Sequence, residues 1–151
     1  MLALFSLLAA SIFLTSYGAM PARAQNKNAP RPSDASGAGA DVVRGKYLVE
    51  AVAMCGQCHT PRDNEGNGDR NRWLQGGPVP YQPSTPVADW PQTEPRIGGT
   101  LPAPDVDMVK LLTTGIWTNG TRLRPPMPQF RMTVSDAQAV VAYLKTVKAQ
   151  Q

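Results

Sequence analysis

Two cysteines and one histidine lie within five residues of one another, and the chain contains no other residue of either type. They form Cys55-Gly56-Gln57-Cys58-His59, the C-x-x-C-H spacing typical of covalent haem attachment. On a helical turn, two thiols three positions apart can each form a thioether to one haem vinyl group, and the imidazole of the next residue can reach the iron. The motif therefore predicts one haem c, bound through Cys55 and Cys58, with His59 as an iron ligand.

Other chemistry for this motif fits less well. A structural zinc site needs four ligands, usually as two pairs, and the chain has no second pair. A thioredoxin-like redox pair expects a βαβ setting, which the sequence does not indicate. A plain disulfide is compatible with an exported protein, but it leaves His59 unexplained.

A haem with a single histidine ligand needs a sixth ligand, and methionine is the natural one because a thioether stabilises ferrous iron and raises the reduction potential. Met54 adjoins the attachment motif and cannot reach the opposite haem face, whereas Met108 lies in a helical apolar stripe that favours core packing. Met127 is flanked by prolines in RPPMP (124–128), which present one side chain rigidly. We predict Met127 as the second metal ligand, with Met132 as the alternative.

The rest of the domain reads as all-α, with three main helices. Apolar residues recur at spacings of three and four, and one stripe comprises Ala137, Val140, Val141, Leu144 and Val147. The predicted helices are Asp41 to Met54, Asp105 to Ile116 and Ser135 to Lys148. Thr133 or Ser135 can cap the last helix, and Ser135 with Gln138 fits a capping box.

A long irregular segment, Thr60 to Pro104, separates the first two helices and holds nine of the 15 prolines and six of the 13 glycines. Such a loop normally counts against a compact domain, but a haem around which the loop wraps would supply the missing core. Six apolar residues of the loop are candidates for haem contact, although simple packing is the favoured interpretation for most: Trp73, Leu74, Val79, Tyr81, Trp90 and Ile97.

The N-terminus has the features of an export segment. Residues 1–20 are almost wholly apolar, and Ala22-Arg23-Ala24 offers a cleavage site, so 1–24 is predicted to be a secretory signal or, if retained, a membrane anchor. The segment 25–40 is predicted to be a flexible linker, and 41–151 the folded domain. We expect a periplasmic protein, soluble or tethered to the membrane through residues 1–20.

The formal net charge of +4 indicates only a modest electrostatic preference. It favours redox partners with an acidic docking surface. The basic residues form no run, which argues against nucleic-acid binding.

Three segments resemble class I c-type cytochromes: GKYLVEAVAMCGQCHTPRD (45–63), RPPMPQFRM (124–132) and SDAQAVVAYLKTVK (135–148). The most similar types are bacterial single-haem cytochromes and the cytochrome modules of membrane-bound dehydrogenases. The resemblance implies that the first and last helices cross near the haem, with Gly45 at the close approach and Tyr143 and Leu144 facing it.

The resemblance also implies particular roles near the haem. A proline carbonyl after the motif should accept the hydrogen bond of the proximal histidine, and Pro78 is the expected residue, with Pro80 as its rival. Four residues are candidates to cover or pair with the haem propionates, although each is also explained as surface: Arg62, Arg72, Trp73 and Arg96.

Three functions remain open on these grounds. The first is single-electron transfer by a His/Met-ligated haem in a periplasmic respiratory or photosynthetic chain. The second is a tightly bound haem subunit of a larger dehydrogenase, oxidase or photosynthetic complex. The third, a haem sensor or peroxidase, needs an open sixth position, against which the methionine loop argues.

Overall fold

The computed structural model describes residues 38–148, and within them four α-helices frame two irregular loops. Helix α1 spans Ala38–Tyr47 and continues directly into a π-helical turn, Leu48–Val52. The short helix α2 spans Gly56–His59, α3 spans Asp105–Thr114 and α4 spans Val134–Thr146. The three predicted helices are present, so the all-α prediction is confirmed. The predicted signal or anchor segment, residues 1–24, lies outside the described residues.

Helices α1 and α4 cross in close contact, and Gly45 is the residue that permits it. A Cβ atom at position 45 would lie 1.9 Å from the carbonyl oxygen of Ala139 and 2.8 Å from Cβ of Tyr143. Only glycine has no Cβ, so only glycine allows the two backbones to approach this closely. The expected role of Gly45, facing Tyr143 on the last helix, is confirmed.

The core lies where α1, the π-helical turn, α3 and α4 meet. Its most completely buried side chains include Val49 at 0 % exposure and Val140 at 1 %, with Leu144 at 2 %. Met108 is 4 % exposed and packs in the same cluster. The apolar stripe of the last helix therefore faces the core, as its spacing predicts.

The helix boundaries differ from the sequence-based ones for local reasons. The first helix ends at Tyr47 because the chain widens into the π-helical turn. Helix α3 ends at Thr114, since Gly115 follows with φ 70° and donates its N–H to the Leu111 carbonyl, a left-handed cap that glycine adopts without strain. Thr133 caps α4: its Oγ1 accepts from the Asp136 N–H at 3.1 Å, so the expected Ser135 capping box is not formed.

The long loop between α2 and α3 is ordered by its own hydrogen bonds. It contains one 3₁₀ turn, Arg70–Arg72, and two short antiparallel strands, β1 (Gly77–Pro78) and β2 (Thr93–Glu94). Leu74 is fully buried, and its N–H donates to Thr60 Oγ1 at 3.1 Å. The strand pair brings the two ends of the Pro-rich stretch together next to α2.

None of the helices within 38–148 has the length and apolar character needed to cross a membrane.

Candidate haem-binding site

The attachment motif is presented by an unusual turn of the backbone. The π-helical turn ends with the Ala53 N–H donating to the Leu48 carbonyl, and Met54 then adopts φ 50°, in the left-handed region. A non-glycine residue there costs about 1–2 kcal/mol. The turn redirects the chain so that Cys55 directly precedes α2, whose first hydrogen bond runs from the His59 N–H to the Cys55 carbonyl at 2.9 Å. Cys55, Cys58 and His59 therefore share one helical turn, as the motif predicts.

His59 is held in one orientation by a proline carbonyl. Its Nδ1 lies 2.8 Å from the Pro95 carbonyl oxygen, which can only accept, so Nδ1 carries the proton. The other ring nitrogen, Nε2, is buried and has no hydrogen-bond partner. A buried nitrogen without a partner is costly, and a neutral imidazole with its Nδ1 proton engaged leaves the Nε2 lone pair free for a metal.

The acceptor is Pro95, so the expectations for Pro78 and for its rival Pro80 are wrong. The Gly76 N–H donates to the His59 carbonyl at 2.8 Å, which places the Gly76–Gly77 segment beside the histidine. Pro78, however, is paired in β1 with Thr93 of β2, and the carbonyl that reaches the imidazole follows β2.

A cavity of about 590 Å³ opens in front of the motif. Cys55, Cys58 and His59 line it from α2, and Met127 lines it from the RPPMP segment. Its size falls within the roughly 300–1,000 Å³ usual for cofactor and ligand sites. Part of the apolar wall comes from α3 and α4, and the rest comes from loop residues such as Ile97 and Phe130. The residues from the two helices are Met108, Leu111, Leu112, Val140 and Leu144.

The two cysteines are free thiols in different surroundings. Burial raises the pKa of the Cys55 thiol to about 11, so this sulfur is neutral at neutral pH. Cys58 Sγ lies 3.2 Å from the Tyr81 hydroxyl, and this contact raises the pKa of Tyr81 to about 12. Tyr81 is itself part of the cavity wall.

The methionines occupy distinct places. Met127 is half-buried and faces the cavity from a loop, whereas Met108 is buried in the core on α3 and also borders the cavity. Met54 stands at the cavity edge with 54 % of its surface exposed. Met132 packs against the core cluster and is not among the lining residues, so the alternative ligand is placed less favourably than Met127.

Two of the four expected propionate partners, Arg62 and Arg72, bond to other groups, whereas the buried Nε1 of Trp73 has no hydrogen-bond partner. Arg62 donates to the Gln57 carbonyl at 2.7 Å, and Arg72 pairs with Asp69 at 2.7 Å. Trp73 packs against Gly56, where a Cβ would lie 2.0 Å from its indole ring. These three and Arg96 are absent from the cavity lining that the structure describes.

Sequence reasoning missed several residues of this site. Arg122 and Arg124 line the cavity from the segment around Met127, and Glu94 does so from β2 with one carboxyl oxygen buried and unpartnered. Gly56 is required by the close packing of Trp73. No spacing pattern in the sequence singles out Arg122, Arg124 or Glu94. Gly56, which lies inside the attachment motif, could have been predicted as a position of close approach.

Comparison with known proteins gives a consistent result. The family model for cytochrome c matches residues 42–148. A diheme cytochrome c-type protein of Cereibacter sphaeroides is 35 % identical over 111 residues, which are 70 % of this chain and 35 % of that protein. The fructose dehydrogenase cytochrome subunit of Gluconobacter japonicus is 29 % identical over 115 residues, which are 73 % of this chain and 23 % of that protein. The matched region thus spans about a third and about a quarter of these two relatives.

Proposed function

The chain belongs to the cytochrome c family, and from this premise we propose that it is a single-electron carrier whose covalent haem c is ligated by His59 and Met127. The observation that carries the proposal is the buried, unpartnered Nε2 of His59, which opens on a cavity that Met127 also lines. When bound, the haem supplies the one-electron Fe(II)/Fe(III) couple.

The residues of the chain would hold and tune this group. Cys55 and Cys58 would tether it by thioether bonds, and Pro95 fixes the tautomer and ring orientation of His59 by accepting from Nδ1. The thioether of Met127 would favour the ferrous state. The apolar side chains of α3 and α4 on the cavity wall would keep water from the buried part of the haem. The Pro-rich loop, which is the segment from Thr60 to Pro104, would close another side of the cavity through Tyr81 and Ile97.

The test is the visible spectrum of the haem-loaded protein, oxidised and reduced, for wild type, Met127→Leu and Met132→Leu. Leucine conserves volume, so both variants should fold. We expect a sharp low-spin reduced spectrum and a weak red sulfur-to-iron band in wild type and in Met132→Leu, and loss of that band in Met127→Leu. Survival of the band in Met127→Leu, or its loss in Met132→Leu, would refute the assignment of Met127.

The same ligation argues against a sensor or peroxidase role, which needs an open sixth position. Carbon monoxide binding to the reduced protein at neutral pH tests this directly. We expect weak, slow binding to wild type and rapid binding to Met127→Leu. Rapid, tight binding to wild type would favour the sensor or peroxidase instead.

We propose that the protein acts in the periplasm, with residues 1–24 as export signal or anchor, and passes electrons to or from redox proteins that present acidic groups. The formal net charge of +4 supports this charge preference. One relative is by name a dehydrogenase subunit, so a second setting is a stable complex with a larger enzyme. Native electrophoresis with haem staining separates the two: haem migrating at the mass of the single chain supports a free carrier, and haem in a larger band supports a subunit.

A further inference from the structure

The methionine loop, residues 123–131, is tied to the helical frame at both ends. The Leu123 N–H donates to the Gly115 carbonyl at 2.8 Å, and the N–H of Met132, just past the loop, donates to the Leu112 carbonyl at 3.1 Å. Both acceptors lie at the end of α3. Between these anchors, Pro125, Pro126 and Pro128 have no N–H to donate. The contact between this loop and the other wall of the cavity is made by a side chain.

Arg124 makes this connection. Its Nη2 donates to the carbonyl oxygens of Ala88 and Asp89, both at 3.1 Å. These two residues lie in the Pro-rich loop, 36 and 35 positions away along the chain. Asp89 has φ 55°, a left-handed conformation, at the point where two successive carbonyl oxygens meet one nitrogen. Of the hydrogen bonds that the described residues form, these are the ones that join the two loops.

The connection lies at the cavity itself. Arg124, Asp89 and Met127 all line it, so the guanidinium spans from the wall that carries the methionine to the wall formed by the Pro-rich loop. The prolines around Met127 restrict the local backbone but do not fix the position of the loop relative to the opposite wall. A guanidinium has several donors in a fixed planar arrangement and stays charged at all relevant pH values, which suits it to hold two carbonyls at once.

We propose that Arg124 is a positioning residue that latches the methionine loop to the Pro-rich loop and thereby holds Met127 against the iron. The proposal rests on the proposed His59–Met127 ligation. An external ligand that replaces Met127 must first move the loop away, and the latch opposes this movement. Removing the latch should therefore strengthen the binding of an external ligand while the attachment through Cys55 and Cys58 is untouched.

The experiment is a titration of the oxidised, haem-loaded protein with imidazole, followed by the change in its visible spectrum and, where the sulfur-to-iron band is present, by the loss of that band. Arg124→Gln is compared with Arg131→Gln, which removes the same charge from the same loop. Among residues 38–148, Arg131 bonds only to its neighbours, the Phe130 carbonyl and Gln129 Oε1. Because Arg124 is exposed and donates two hydrogen bonds, we expect Arg124→Gln to bind imidazole about three- to tenfold more tightly, and Arg131→Gln to bind as wild type does.

A conservative variant separates positioning from charge. Arg124→Lys keeps the charge but has no planar pair of donors, so its imidazole affinity should fall between those of wild type and Arg124→Gln. The thermal midpoint of each variant is measured alongside, since a general loss of stability would weaken both the loop and the core. Equal imidazole affinity in wild type and Arg124→Gln, or an equal gain in Arg131→Gln, would overturn the latch.

Failure of the underlying ligation gives a different result. If wild type binds imidazole as tightly as Met127→Leu, Met127 is not the group that imidazole displaces, and the proposed ligation is wrong whatever Arg124 does. If Met127→Leu binds much more tightly than wild type while Arg124→Gln does not, the ligation stands and the latch alone is refuted.

Discussion

Substituting Gly45 by alanine should destabilise the protein, although alanine is the better helix former. The added Cβ would lie 1.9 Å from the Ala139 carbonyl oxygen, about 1.5 Å short of an ordinary contact at 3.4 Å. The obstacle is backbone, which cannot rotate away as a side chain can, so α1 and α4 must separate. Overpacking of this kind costs roughly 1–3 kcal/mol, and helix propensity returns about 1 kcal/mol. Taking the upper end because the clash is with backbone, the net loss is about 2 kcal/mol.

Thermal unfolding of the haem-loaded protein measures this loss. For a domain of this size, a loss of 2 kcal/mol lowers the midpoint by roughly 10 °C. Gly68→Ala is the matched control, because a Cβ there meets only the Thr60 methyl at 3.7 Å and the glycine does not have a positive φ; its midpoint should stay near wild type. A Gly45→Ala midpoint equal to or above that of wild type would show that the crossing is not as tight as described.

Two further predictions concern the same frame. Burial and a hydrogen bond of 2.5 Å from the Tyr143 hydroxyl to Glu50 raise the pKa of Tyr143 to about 12. The stability that protonated Tyr143 contributes is therefore fully present below the ordinary tyrosine pKa of about 10. This stability is lost as the pH rises from about 10 to about 12. Urea unfolding at pH 9 and pH 11.5 should show a smaller fall for Tyr143→Phe than for wild type, and an equal fall would contradict the assignment. Because Thr133 caps α4, Thr133→Ala should lower the free energy of unfolding by about 1 kcal/mol. Ser135→Ala should change this free energy by less than about 0.5 kcal/mol. Chemical denaturation measures both, and a larger loss in Ser135→Ala than in Thr133→Ala would place the cap at Ser135.

The parts of the site that lie close together in the chain could be predicted, and the parts that depend on the path of a loop could not. Cys55, Cys58 and His59 fall on one turn because their spacing requires it. The acceptor for His59 was expected at Pro78, because the resemblance to class I c-type cytochromes implies a proline carbonyl after the motif. The segment before Pro78 does lie beside the histidine, but the pairing of Thr93 with Pro78 brings a second proline stretch alongside, and its Pro95 carbonyl reaches the ring.

Polar contacts between residues that lie far apart in the sequence could not be predicted either. The hydrogen bonds from Arg124 join residues about 35 positions apart. Their acceptors are backbone carbonyls, which every residue has, so the residue types do not indicate the contact. The expected propionate partners were chosen by residue type alone. Arg62 instead donates to a carbonyl of Gln57 in α2, and Arg72 pairs with Asp69 within the same loop. The helices were easier, because their periodic apolar stripes report burial directly.

The cavity and the hydrophobic core share the same helix, which links folding to the site. Val140 and Leu144 of α4 are almost completely buried, yet both also line the cavity. The Leu144 carbonyl in addition accepts from the Gly99 N–H at 2.8 Å, which ties the end of the Pro-rich loop to α4. A group that fills the cavity would therefore complete the core as well as the site, since the apolar wall would otherwise meet water. Separation of α4 from α1, as in Gly45→Ala, should then weaken the proposed ligation by Met127 together with stability, which imidazole titration and thermal unfolding of the same variant would measure.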